Sequence, residues 1–444
     1  MHVNRFRLTD FPVEIMSYFF YWTGWIFLMG CCLLGMEGAG QNTAETYFVS
    51  PTGADHIDAD GQNRPWQSLG YALSRIPDAG GVEILVQPGT YPALSSTRRF
   101  ERPVILRAAV PRESILLPGP DQGPVLLTGA RNLRLEGFVI DNRGHSAVSN
   151  ALHILSSCSA IEVVNCRITH GGEGYVNASA VKIHRHVSHI LLEDNEIFDA
   201  CDAEVEISDW AHDIVLRRNV IHRRRSSSRE ALVVIADRSW RIVMDRNVIM
   251  NTLSGNGPCL IRLGSGLEAQ EETSEILLWN NLFIQRDDTP ALALTGCARA
   301  LFIRNISYSR PGHTPWIRSW IQYPRLNQPP AITQVYLWGN QVIHSTGDGH
   351  AMAVEPELLD SGSVIVLDAG ENTSGHSSFM RESTIEPAAF DKILHEEPSL
   401  RWLEVFLPNP MIHEIKNDPF LNQPGLPEPL RKFWEEYKEC RINQ

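Results

Sequence analysis

The chain has 444 residues and a formal net charge of −13, with 39 Lys and Arg against 52 Asp and Glu. An acidic balance of that size disfavours nucleic acid as a partner, and the length would hold about two or three ordinary domains. At the N-terminus, residues 15–36 run for 22 positions without a charged side chain. Such a run can span a bilayer. Arg5 and Arg7 precede it and Gly38-Ala39-Gly40 follow, which also suits a secretory signal peptide. Leu28-Met29-Gly30-Cys31 is close to a lipoprotein cleavage box, with Met in an unusual place. Residues 1–40 are therefore expected to be a signal peptide or an N-terminal membrane anchor. On each reading residues 41–444 lie outside the cytoplasm: secreted, periplasmic or at the cell surface.

The stretch 47–91 holds Val49-Ser50-Pro51-Thr52-Gly53, Asp55, Gly61, Pro65-Trp66, Ser68-Leu69, Ala72-Leu73, Gly80-Gly81 and Pro88-Gly89-Thr90-Tyr91. These pieces resemble the opening of secreted bacterial proteins of the pectate-lyase-like β-helix superfamily. The resemblance implies a first strand, a short capping helix over residues 66–76, then a first full coil. With the repeats that follow, it spans about residues 47–370. It bears on fold rather than activity, because this superfamily holds lyases, hydrolases, epimerases and non-enzymes.

One hydrophobic signature then recurs in eight segments. Five are complete: Ile190-Leu192-Asn195-Ile197, Ile214-Leu216-Asn219-Ile221, Ile242-Met244-Asn247-Ile249, Ile276-Leu278-Asn281-Phe283 and Val335-Leu337-Asn340-Val342. Leu301-Ile303-Asn305 reads as the same unit one residue short, and Leu133-Leu135-Ile140 and Ile161-Val163-Ile168 lack the Asn. A spacing of about 24 to 34 residues is that of a solenoid. Alternating apolar residues are a strand signal, and the break between them is a turn, where Asn tolerates the left-handed backbone. If each repeat is one coil, the Asn residues stack about 4.8 Å apart and their amides form a ladder. No helix-period pattern of useful length appears between about residues 100 and 370. The expected fold is all-β: a right-handed parallel β-helix of about ten coils, each with two or three short strands, over residues 41–370.

Register orders the remaining side chains. Nine and seven residues before each anchor lies a second apolar pair: Leu152/Ile154, Val181/Ile183, Val205/Ile207 and Val233/Ile235. If these point inward, the residue between them points outward. The resulting exterior column is His153, Lys182, Glu206, Val234, continued by Arg262, Ala293 and Arg318. Glu204, in line with Ala180, and His184, in line with Ser208, are expected beside it.

The resemblance makes this face the catalytic candidate, since polymer-degrading β-helix proteins bind their substrate along such a face. A uronate lyase removes the proton next to a carboxylate and expels the 4-oxygen. That needs a base, often Lys or Arg in the resembling families, and a positive centre for the enolate-like intermediate. In many resembling lyases the centre is Ca2+, which takes several oxygen ligands. Asp202, Glu204 and Glu206, within the acidic group that also holds Asp199 and Asp209, are the expected metal ligands. Lys182 is the candidate base and Arg262 the partner of a substrate carboxylate. Glu206 one coil away would hold Lys182 as an ammonium, which favours Arg262 or His184 sharing the role. The bland alternative is a surface ion pair, worth roughly 0–1 kcal/mol.

His153, Arg185 and Arg224 are expected to bind substrate, the two arginines from a basic zone that also holds Arg217, Arg218 and Arg223. Trp279 and Trp338 occupy one register position two coils apart, where exposed rings would stack on sugars. Cys158, Cys166, Cys201, Cys259, Cys297 and Cys440 show no CxxC spacing and read mostly as small buried residues, with an isolated disulfide left open. From residue 371 Pro and charge become frequent. Two helical stretches, roughly 384–396 and 426–440, are expected to form a cap or tail, the second with Leu430, Phe433, Trp434 and Tyr437 on one face, a partner-binding helix being the alternative. The partner expected is an anionic polysaccharide and the chain is expected to be monomeric. Three activities stay open: a lyase, a glycoside hydrolase or epimerase, and a non-catalytic carbohydrate-binding or structural solenoid. The polygalacturonase-like elements are not met, as His170-Gly171 and Asp287-Asp288 occur in the wrong order and without the others.

Overall fold

Short strands with buried, β-branched alternate positions cannot hide their apolar face alone, so the chain coils and stacks them. The computed structural model describes residues 45–143, 150–170, 178–223, 230–251, 259–264, 273–279, 281–285, 290–303, 305–309, 317–319, 332–338, 340–344, 354, 358 and 364–366. Residues 1–44, where a signal peptide or anchor is expected, Arg224 and residues 371–444 lie outside these. The chain divides into two units, Met1–Glu45 and Thr46–Gln444, and the architecture below belongs to the second.

Among the described residues the strands form three parallel sheets, named here in the order one coil visits them. Sheet I has 9 strands, sheet II has 12 and sheet III has 10, so the count varies by sheet and is not a uniform ten. One coil runs Val181–His184 in sheet I, Ser188–Glu193 in sheet II and Glu196–Phe198 in sheet III. The next repeats this as Val205–Ile207, His212–Arg217 and Val220–Arg223. Each strand pairs with its equivalent one coil away, for example Ile190 with Ile214 and Ile214 with Ile242. The apolar pairs at 152/154, 181/183, 205/207 and 233/235 are all fully buried. They join the sheet II anchors in one continuous core. Each such Ile, Leu or Val contributes roughly 1.5–3 kcal/mol by burial.

The asparagines form the expected ladder. The Oδ1 of Asn219 accepts from the Asn195 backbone N–H and side-chain amide, both at 3.0 Å. Asn247, Asn281, Asn305 and Asn340 repeat the pattern. Each Nδ2 also donates to a carbonyl of the preceding coil, as Asn247 does to Leu216 at 2.9 Å. Cys166 stands where an earlier Asn would, its N–H received by Asn195. The left-handed conformation falls on the residue before the Asn: Asp194 (φ 57), Arg218 (φ 52) and Arg246 (φ 54). The Asn side chain is needed inside the turn, so its neighbour takes the bend. The unit at 301 is likewise not short. Ala300 and Phe302 are its buried anchors, paired with Ile276 and Leu278, and Phe302 precedes Asn305 by the usual interval.

At the start of the solenoid, Trp66 is buried and its Nε1 donates to the Ala59 carbonyl at 2.9 Å. Gly61 sits at φ +74, and a Cβ there would come within 2.6 Å of the Trp66 ring. Asp55 accepts from the Gln67 and Ser68 N–H groups and from the Ser68 hydroxyl. Ser68 caps helix α1 (Leu69–Arg75), accepting from Tyr71 N–H. This is the short capping helix, trimmed by three residues at its start because Trp66 is drawn into a bridge with Val49. The five described cysteines are free, and four of them are buried. Among the described residues no helix is long and apolar enough to cross a membrane.

Candidate active site on the outer face of sheet I

Sheet I places one outward side chain per coil in line. The register pairs Leu126 with His153, His153 with Lys182, Lys182 with Glu206, Glu206 with Val234 and Val234 with Arg262. Ala293 and Arg318 continue it. The column read from the repeat is thus reproduced residue by residue. It has two regions. Around His153, Lys182 and Glu206 the face is half-buried, whereas Val234, Arg262 and Ala293 are only 3%, 7% and 0% exposed.

In the half-buried region, Lys182 Nζ lies 2.8 Å from Glu206 Oε1. Glu206 also accepts from the hydroxyls of Ser179 and Ser208 at 3.0 and 3.2 Å. His153 and His184 meet through their Nε2 atoms at 2.8 Å, with rings stacked at 4.9 Å. Burial, reinforced by His184, Lys182 and Arg185, pulls the His153 imidazole down to about 3. Burial, with Lys182 and Arg185, lowers His184 as well. The pair is therefore neutral near pH 7. Asp202 moves the opposite way. Burial and the nearby Glu206 and Glu230 raise its carboxyl to about 6, against the pull of Lys182 and Arg262.

Three expectations are corrected. Glu204 does not face outward. Its column at the sheet III to sheet I corner also holds Ala151, Ala180, Leu232 and Leu260, all fully buried, so alternation stops one residue before the strand. Glu204 is paired with the equally buried Arg223, Nε to Oε1 at 2.9 Å and Nη2 to Oε2 at 2.7 Å. Burial pushes the Glu204 carboxyl up, Arg223 offsetting part of the rise. With both oxygens taken, the three-carboxylate Ca2+ set of Asp202, Glu204 and Glu206 does not form. Among the described residues no group of three His, Cys, Asp or Glu is arranged to hold a metal ion. Arg262 is also committed: it pairs with both Glu230 oxygens at 3.0 and 3.1 Å and donates to the Gly264 carbonyl at 2.7 Å. It is buried among these partners and is not presented to a substrate carboxylate.

The remaining candidates scatter. Arg185 sits at the corner between sheets I and II, exposed and at φ 64, beside the face rather than on it. Trp279 and Trp338 share a register position through Ile303, as expected, but on sheet II. Trp279 is half-buried there. The Trp338 side chain and Arg224 lie outside the described residues. Much of the basic zone is cross-paired: Arg218 binds Asp194, Arg217 lies against Glu193 and Asp245, and Arg223 binds Glu204.

Residues 122–308 match the family described as right-handed β-helix region. The chain folds as a right-handed parallel β-helix. No curated protein matches it. Among solved structures it is similar to the pectate lyase Pel9A, with 13% identity, 76% of this chain and 83% of that one covered, and a TM-score of 0.49. An alginate lyase from Paenibacillus sp. str. FPU-7 aligns at 15% identity over 68% of this chain and 89% of its own, TM-score 0.40. The A-module of the Azotobacter vinelandii mannuronan C-5 epimerase AlgE4 aligns at 12% identity, covering 69% and 93%, TM-score 0.34.

In this β-helix two site residues escaped the sequence reading. Glu230 stands three residues before Val233, as Asp202 stands three before Val205, so the register itself carried the signal. Arg223 gave none, because a fully buried arginine at a strand end looks in sequence like its exposed neighbours.

Proposed function

We propose that this β-helix is an extracytoplasmic enzyme acting on a uronate-containing polysaccharide laid along the outer face of sheet I, cleaving it by β-elimination. The observation behind the reading is one stretch of surface holding a neutral imidazole pair, an ammonium and a carboxyl that keeps its proton to about pH 6. Opening the His153–His184 contact frees an unprotonated Nε2, and His184 accepts the proton from the carbon beside the uronate carboxylate. Lys182 faces the negative charge that develops on that carboxylate. Asp202 donates its proton to the departing 4-oxygen as the C–O bond breaks and the C=C bond forms. No step requires a metal ion.

A second reading, glycoside hydrolysis, is favoured by one observation: Asp202 is proton-rich while Glu206 is held against Lys182. A proton-rich carboxyl near a second carboxyl paired with an ammonium suits an acid beside a base or nucleophile. The purified protein, incubated with a panel of acidic polysaccharides, decides. Growth of ultraviolet absorbance from unsaturated uronate ends supports elimination. Reducing ends without absorbance point to hydrolysis, and binding without either product sinks both readings.

A further inference from the structure

Arg223 does more than neutralise Glu204. It closes its sheet III strand and turns its guanidinium into the corner below the site, fully buried. Besides the two bonds to Glu204, Nη2 donates to the Asp202 carbonyl at 2.6 Å and Nη1 to the Glu230 carbonyl at 2.8 Å. Asp202 and Glu230 occupy the same place in successive coils, each just before its sheet I strand. One rigid fork therefore joins the two corners from which two carboxylates rise. Those carboxylates meet the Lys182 and Arg262 side of the face, Glu230 through its pair with Arg262.

We propose that Arg223 is the positioning residue of the sheet I site, a guanidinium clamp that sets the spacing of Asp202 and Glu230 by holding their backbones. The proposal rests on reading sheet I as an acid–base face. Arginine suits the task because its planar fork holds several acceptors in fixed directions, which an ammonium cannot do. Net stability does not explain the pair, since buried ion pairs are commonly matched or exceeded by apolar side chains of similar volume. The four hydrogen bonds instead tie three separate segments, 202–204, 223 and 230, into one unit.

The test removes the charges while keeping the packing. The double variant Arg223→Met, Glu204→Leu is expected to melt close to the parent temperature, since replacing the buried pair is near neutral or favourable while the Asp202 and Glu230 carbonyls each lose a donor. In it, backbone amide exchange over residues 199–206 and 230–235 is expected to speed up about tenfold or more. Its kcat should fall about tenfold or more while KM stays within about twofold, as displaced catalytic groups produce. Arg223→Lys keeps the charge opposite Glu204 but not the fork, and should show the same exchange change in smaller degree. An unaltered exchange pattern in either variant overturns the clamp. The exchange measurement needs no substrate, so it stands or falls separately from the β-elimination reading. If the double variant fails to fold, Arg223→Lys read by exchange alone still decides.

Discussion

His153 and His184, one coil apart on sheet I, hold their Nε2 atoms 2.8 Å from each other, so one imidazole donates and the other accepts. Two charged rings could not share that contact. The folded protein therefore resists protonating them while the unfolded chain does not. His153 lies at about 3 when folded, below its ordinary 6.5. Between those values the unfolded state binds more protons, so the contribution is intact above pH 6.5 and lost as pH falls toward 3. Acid unfolding of the parent should steepen in this window by at most about 1.4 kcal/mol per pH unit for one proton. His153→Asn is expected to flatten that slope in denaturant titrations run from pH 7 to pH 4. An unchanged slope would mean the ring is not held neutral.

Asp202 shifts in the other direction. Its carboxyl sits at about 6 in the fold against an ordinary 3.8. The folded state then binds more protons between these values, and that contribution, complete below 3.8, disappears as pH rises through 6. Asp202→Asn should raise stability at pH 8 relative to pH 4 by on the order of 1 kcal/mol, discounted for its partial exposure. The same variant should lower kcat about 10²–10⁴-fold and erase the basic limb of the rate profile. A basic limb that survives in Asp202→Asn assigns the proton donor elsewhere.

Lys182 and Arg262 share a column but not an expected response. Lys182→Met leaves Glu206 with the Ser179 and Ser208 hydroxyls, so the thermal transition should move by no more than about 1 kcal/mol. Its kcat should drop about 10²–10³-fold if the ammonium faces the developing charge. Arg262→Met strips the guanidinium from both Glu230 oxygens in a buried setting and should cost about 3–5 kcal/mol. Paired thermal and kinetic measurements separate the two. Equal destabilisation by both variants would contradict the geometry.

The outward column was legible because a strand alternates strictly, so Lys182, Glu206 and Arg262 had to follow His153 once the inward pairs were recognised. Glu204 was not, because it stands at a corner, where alternation ends and burial is set by which chain segment packs over it. The commitment of Arg262 to Glu230 was hidden for a related reason. A column position reports direction, while coverage of the sheet depends on elements far away in sequence. The His153–His184 contact is diagonal across the register, since His153 pairs with Lys182 and His184 with Leu155. Strand register alone does not bring the two rings together. The asparagine pattern predicted the ladder but misplaced the bend, which belongs to Asp194, Arg218 and Arg246.

Asn247→Ala tests that ladder. It removes the acceptor of two Asn219 donors and the donor to the Leu216 carbonyl, all buried. Equilibrium unfolding should show a loss of about 2–4 kcal/mol. A loss below about 0.5 kcal/mol would mean the amides are dispensable to coil stacking.

The ladder also has a sense of direction. From Asn195 to Asn340 every Oδ1 receives bonds from the earlier coil, and every Nδ2 reaches back to a carbonyl of that coil. Such a file of amides is like a zip whose teeth are interchangeable. The rung between Asn219 and Asn247 is chemically the rung between Asn281 and Asn305, so nothing in the spine records how many coils have gone before. The length of the outer face is thereby uncoupled from its chemistry: whole coils can be gained or lost along the spine while the handful around Lys182 keeps its arrangement.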